Sequence, residues 1–122
     1  MVKPVGNITR GTTAPNRLRR IDRWLIEREC SRLRSLDSVL VVDLGYGATP
    51  VTAWELRQRL LDHVRSDVQV AGVEIDPARV EVAQSLADES LTFIRGGFEI
   101  PTPTSADVVR AANVLRQYQE PE

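Results

Sequence analysis

The run Ser38-Val39-Leu40-Val41-Val42-Asp43, followed at once by Leu44-Gly45-Tyr46-Gly47, constrains this chain more than any other feature. Four consecutive apolar residues leave no polar side for water. Such a run fits a strand buried on both faces, the situation of a parallel sheet covered above and below. The glycines beyond it permit close backbone approach where a Cβ would collide. A strand that ends at an acid and a glycine loop therefore predicts an α/β sheet with something close to its carboxyl end.

The rest of the chain repeats that grammar. Thr49-Pro50 is a helix start, with threonine as cap and proline at the first helical position, where its missing N–H costs nothing. The helix runs from about Pro50 to His63 and places Leu56, Leu60 and Val64 at core spacing. Val68-Gln69-Val70-Ala71-Gly72-Val73-Glu74 reads as a second strand. Asp76-Pro77 opens a second helix that buries Val80, Ala83 and Leu86. Leu91-Thr92-Phe93-Ile94 is a third strand, and residues 107–113 a fourth; Gly96 to Ser105 is a loop. Strand, helix, strand, helix, strand implies right-handed crossovers and a doubly wound parallel sheet.

Ahead of the sheet, residues 1–16 read as an irregular arm rich in Gly, Pro, Thr and Asn. Residues 17–36 read as a helix with Leu18, Ile21, Trp24, Leu25, Leu33 and Leu36 near one face and a row of arginines on the other. The arm, this helix and the cofactor-type region 38–122 make a single domain, because 122 residues are too few for two. Charge is uneven. Residues 1–36 hold nine Lys/Arg against three Asp/Glu, whereas the whole chain carries −1. A basic leading segment can meet nucleic acid, or it can pack against the acidic remainder through a solvated face. With Trp24 assigned to the core, no basic surface interleaved with aromatics is expected, and nucleic acid is not the favoured partner. A single cysteine, Cys30, reads as a small buried apolar residue in a reducing, cytoplasmic setting. One His and one Cys cannot supply a metal cluster, and no apolar run is long enough for a membrane span.

Ligands of such sheets lie beyond the carboxyl ends of the strands, where strand order reverses. The informative residues cluster there: Gly45 and Gly47 after strand one, Glu74 at the end of strand two, Gly96 and Gly97 after strand three, and Asn113 at the end of strand four. A carboxylate at Glu74 can accept from both hydroxyls of a ribose. A dinucleotide fingerprint would want a small third residue where Pro50 stands, and proline removes an N–H that a pyrophosphate would use. No Gly-Lys-Ser or Gly-Lys-Thr occurs, which argues against nucleoside triphosphates.

Val41-Val42-Asp43-Leu44-Gly45-Tyr46-Gly47 resembles the first motif of class I S-adenosylmethionine-dependent methyltransferases, and Val73-Glu74-Ile75-Asp76 resembles their second. Residues 107–115 are similar to the fourth-strand motif, and residues 11–20 to the N-terminal arm of an uncharacterised bacterial branch. The resemblance implies a Rossmann-like sheet that binds S-adenosyl-L-methionine. Asp43, Gly45, Tyr46 and Gly47 would surround its aminoacyl part, Glu74 would bind the ribose, and Ile75 would pack on the adenine. Gly97 and Phe98 would lie near the adenine, and Asn113 near the methyl group. It implies methyl transfer to an unnamed acceptor and identifies no catalytic base, with Asp107 and Asn113 as candidates that can equally pin strand four.

The family's sheet has seven strands, and only four are legible here, in the expected order 3-2-1-4. Strand four would then be an open edge, so self-association or a completing chain is expected there. Two other functions stay open: a cofactor-binding or interaction fragment without chemistry, and a nucleic-acid-binding protein that uses the arginine-rich helix.

Overall fold

The computed structural model describes residues 15–111. The elements are α1 (Arg19–Arg34), β1 (Val39–Leu44), α2 (Val51–His63), β2 (Val68–Glu74), α3 (Pro77–Ala83) with a 3-10 turn at Gln84–Leu86, β3 (Leu91–Arg95) and β4 (Val108–Arg110). The four strands form one parallel sheet in the order β3-β2-β1-β4, an incomplete Rossmann-like α/β architecture. Most of the proposed arm, residues 1–14, and Asn113 lie outside the described residues.

Strand parity sorts the side chains onto two faces. Val39, Val41, Val68, Val70, Leu91 and Phe93 join Leu25 and Leu33 of α1, Leu56 and Leu60 of α2, and Val80 and Ala83 of α3 in the main core. All three helices therefore pack on this face. That follows from handedness, since β1-α2-β2 and β2-α3-β3 step the same way across the sheet. The connection from β3 to β4 must return past β2 and β1, and it crosses the opposite face. There Val42, Leu44, Ala71 and Val73 are covered by Ile100 and Ala106 of that segment and by Ala111 just after β4, with Leu40 and Ile94 beside them. The reversal of strand order thus falls between β1 and β4.

Several local expectations shift by a residue or two. α1 starts at Arg19 rather than residue 17, because Asn16 takes a left-handed conformation (φ 61°) and its carbonyl accepts from Arg19 N at 3.2 Å, closing a turn. Pro50 is the capping position of α2 rather than its first residue; its carbonyl accepts from Trp54 N at 3.0 Å. Asp76 caps α3 as expected, accepting from Ala78 N at 3.0 Å with Pro77 in the first turn. Leu86 is exposed, since the chain tightens into the 3-10 turn and rotates it off the core face.

The largest misplacement concerns α1. Trp24 and Ile21 are exposed, at 61% and 41%, whereas Leu18, Asp22, Leu25 and Leu33 are buried. The helix is rotated so that a carboxylate, Asp22, faces inward where an apolar residue was expected. Cys30 packs on the core edge and is only half-buried; its thiol donates to the carbonyl of His63 at 3.6 Å.

Candidate functional site at the strand carboxyl ends

The loop after β1 is held by two left-handed glycines, Gly45 (φ 68°) and Gly47 (φ 102°), a conformation that side-chain-bearing residues rarely adopt. Gly45 N donates to the carbonyl of Val73 at 2.7 Å, so the ladder to β2 continues one step beyond the strand. Between the glycines, the Tyr46 ring turns down into the core. It is fully buried, packs edge-on against Phe93 with centroids 5.3 Å apart, and donates its hydroxyl to the carbonyl of Arg79 at 3.2 Å. Burial, with Glu74 and Asp43 nearby, pushes the phenol well above its usual pKa, so it stays protonated. The Tyr46 side chain thus serves as the loop's anchor, and only its backbone remains on the loop side. The room for the ring comes from Gly72: a Cβ there would lie 2.8 Å from Phe93 Cδ1 and 3.0 Å from Tyr46 Cδ2.

Glu74, at the end of β2, is wholly buried. Its Oε1 accepts from Gly47 N at 3.2 Å and its Oε2 from Asp76 N at 3.1 Å, with Arg79 Nη1 3.7 Å away. One carboxylate therefore ties the β1 loop to the start of α3. An ionised carboxylate offers about four lone-pair sites; two backbone N–H groups take one on each oxygen, and Arg79 faces Oε1 as an ion pair. Ile75 beside it is half-buried.

Asp43 is the penultimate residue of β1. It lies on the helix face and is 2% exposed. Its oxygens accept from Arg110 Nε at 3.2 Å, from Arg110 Nη2 at 2.7 Å and from the Thr52 hydroxyl at 3.0 Å. Arg110, on β4 directly opposite Asp43 in the register, also binds the carbonyl of Thr52 at 2.9 Å and the carboxylate of Asp22. Asp22 in turn accepts from Arg59 Nη1 at 2.7 Å. Burial opposes the charge on Arg110, but Asp43 and Asp22 outweigh it and hold its pKa above the ordinary arginine value. Asp43 is thus part of a buried ionic network, centred on Arg110, that joins β1, β4, α1 and α2 beneath the loop.

Sequence reasoning missed Asp22 and Arg110. The only signal was an arginine, Arg110, set among apolar neighbours, and nothing linear connects positions 88 residues apart.

The remaining candidates scatter. Gly97 is buried, and its N–H donates to Glu99 Oε1 at 3.1 Å. Gly96 has a packing role, because a Cβ there would meet Pro101 Cδ at 2.5 Å. Phe98 is 45% exposed on the crossing segment. Asp107 sits at the other end of the sheet. Its N–H donates to the Leu40 carbonyl at 2.7 Å, its Oδ2 accepts from Leu40 N at 2.8 Å, and its carbonyl accepts from Arg32 at 2.9 Å. Asp107 therefore pins strand four and stands away from the strand carboxyl ends. No helix among the described residues is long and apolar enough to cross a membrane.

No protein-family model matches the chain, and no curated protein matches it. Among solved structures, the chain is similar to one in the "Complex between the Haloferax volcanii Trm112 methyltransferase activator and the putative methyltransferase", at 23% identity and a TM-score of 0.41. The match covers 73% of this chain and 41% of that one, so the chain spans about two fifths of its length.

Proposed function

We propose that the chain binds S-adenosyl-L-methionine at the carboxyl ends of β1 and β2 and serves methyl transfer to an acceptor. The observation that carries this reading is the buried Glu74 carboxylate at the end of β2, joined to the left-handed Gly45–Gly47 loop. A ribose brings two adjacent hydroxyls. The donor set suits a nucleoside, and Pro50 at the head of α2 withholds an N–H that a pyrophosphate would need.

In this reading Glu74 accepts from the ribose hydroxyls, and Gly45 and Gly47 let the ligand lie against the backbone. Ile75 packs on the adenine, with Gly97 and Phe98 at its far side. Asp43 acts through the loop: its carboxylate is committed to Arg110 and Thr52, so it positions Gly45–Gly47 beneath the aminoacyl end. The bound cofactor would supply a methyl group already activated by its sulfonium charge. The chain's contribution is then alignment and exclusion of water rather than strong base catalysis. No catalytic base is assigned.

Calorimetric titration with S-adenosylmethionine, S-adenosylhomocysteine and NAD tests the reading. Heat is expected from the first two and none from NAD. Glu74→Gln, which keeps the size but weakens acceptance, is expected to reduce affinity about a hundredfold or more, since hydrogen bonds to charged groups contribute about 1.5–3 kcal/mol each. Absence of heat with both S-adenosylmethionine and S-adenosylhomocysteine, on a sample shown folded by circular dichroism, would refute it.

A further inference from the structure

The rotation of α1 exposes a surface unlike the rest of the molecule. Trp24 stands 61% exposed, with the Arg28 guanidinium 5.4 Å from its ring centroid. Arg20 lies one turn before Trp24 on the same exposed side, and Ile21 is exposed beside it. Around the helix, Arg19 and Arg23 line a cleft of about 570 Å³ between α1 and α2, together with Arg59, Ile26, Glu27 and His63. Among the described residues, Arg19, Arg20 and Arg23 make no ion pair. The acids of the helix do little to offset them. Asp22 is buried against Arg59 and Arg110, and Glu29 is held by Arg32, which leaves Glu27 as the exposed carboxylate of α1.

An exposed tryptophan next to a cleft lined by Arg19 and Arg23 combines the two elements that hold single-stranded nucleic acid. A flat ring stacks an unpaired base whatever its identity, and cations follow the phosphates. A protein partner would be met better by an apolar patch than by this density of positive charge, and a duplex would hide the base faces that Trp24 offers. The geometry points to the Arg20–Trp24–Arg28 ridge and the adjoining Arg19–Arg23 cleft as a binding site for single-stranded nucleic acid. The site lies on the solvent-facing side of α1 and stands independently of the proposed cofactor pocket.

The test is fluorescence anisotropy of a labelled 12-nucleotide single strand of mixed sequence, titrated with the full chain across a salt series. Inorganic polyphosphate and a poly-glutamate peptide serve as competitors. Binding is expected to fall steeply with salt. Trp24→Ala should weaken it about tenfold without changing the salt slope, through loss of one stacked base. Arg20→Gln and Arg23→Gln should each reduce the slope by about 0.7. All three positions are exposed, so circular dichroism should be unchanged, and S-adenosylmethionine heats should match the parent. No binding at 50 mM salt would overturn the proposal. So would a Trp24→Ala affinity within twofold of the parent, or polyphosphate or poly-glutamate competing as well as the oligonucleotide itself. Loss of cofactor heat in the parent would leave this result standing, and the converse also holds.

Discussion

Arg110 shows how much one side chain can decide. It carries its charge into a nearly closed site where Asp43, Asp22 and the Thr52 carbonyl surround it. A buried charge is tolerable only with partners, and removing one partner strands the others. Arg110→Met should therefore destabilise the fold by about 3–5 kcal/mol, read as a lower urea midpoint. Arg110→Lys should recover only part of this, because an ammonium cannot fork onto Asp43 while also reaching Asp22. If Arg110→Met unfolds at the parent's midpoint, the network is not structural. The apolar strand around Asp43 was legible from the linear pattern; the arginine that neutralises its acid was not, since that pairing exists only once β4 lies beside β1.

At the scale of elements, the sheet and the glycine loop meet through a packing triangle. Gly72 on β2, Phe93 on β3 and Tyr46 of the loop touch, and a single Cβ at Gly72 would intrude on both rings. Gly72→Ala is expected to cost about 1–3 kcal/mol through overpacking, measured by thermal or urea unfolding. It should also weaken S-adenosylmethionine binding, because displacing Tyr46 moves Gly45 and Gly47. Unchanged stability would show that the rings repack freely. β1, β2, β3 and both crossover helices were legible from apolar runs and the Asp76-Pro77 cap, since these depend on neighbours in sequence. The facing of α1 was not. Its apolar residues are spread widely enough that periodicity alone put Trp24 inward, whereas the pull of Arg59 and Arg110 on Asp22 turned it out.

For the molecule as a whole, arginine–aspartate clamps recur where helices meet the sheet. Besides the Asp22–Arg110–Asp43 network, Arg57 of α2 binds both oxygens of Asp88 at 2.6 and 2.8 Å, ahead of β3. Arg65 binds Asp67 ahead of β2 and also reaches the carbonyls of Leu33 in the last turn of α1 and of Leu36 beyond it. Hydrogen bonds from Arg57 and from the Ser90 amide hold the Asp88 pKa below its ordinary value, and Arg65 does the same for Asp67. A depressed folded-state pKa stabilises fully above the unfolded value of about 3.9 and is lost as pH falls through the folded one. Stability should thus be flat in this respect from pH 7 to about 5 and fall below about 4. Asp88→Asn should flatten part of that fall while lowering stability at neutral pH by about 1 kcal/mol, a modest figure because Asp88 is half exposed. An acid limb identical in parent and variant would remove Asp88 from the account.

The sequence by itself determined the parallel α/β sheet, its order 3-2-1-4, the helix between each of its first three strands, and the meeting of Gly45, Gly47 and Glu74 at one end. The sheet, its helices and the glycine positions follow from local chemistry: unbroken apolar runs, capping residues, glycines at strand ends and the fixed hand of crossovers; the order was what the family resemblance implied. Only the tertiary structure decided that Tyr46 points into the core, that Asp43 is spent on Arg110, that Asp107 belongs to the far end of the sheet, and that Trp24 stands in solvent among arginines. Each of these depends on a partner distant in sequence. A buried charge or ring takes its direction from whatever completes its contacts, and that partner is chosen in space.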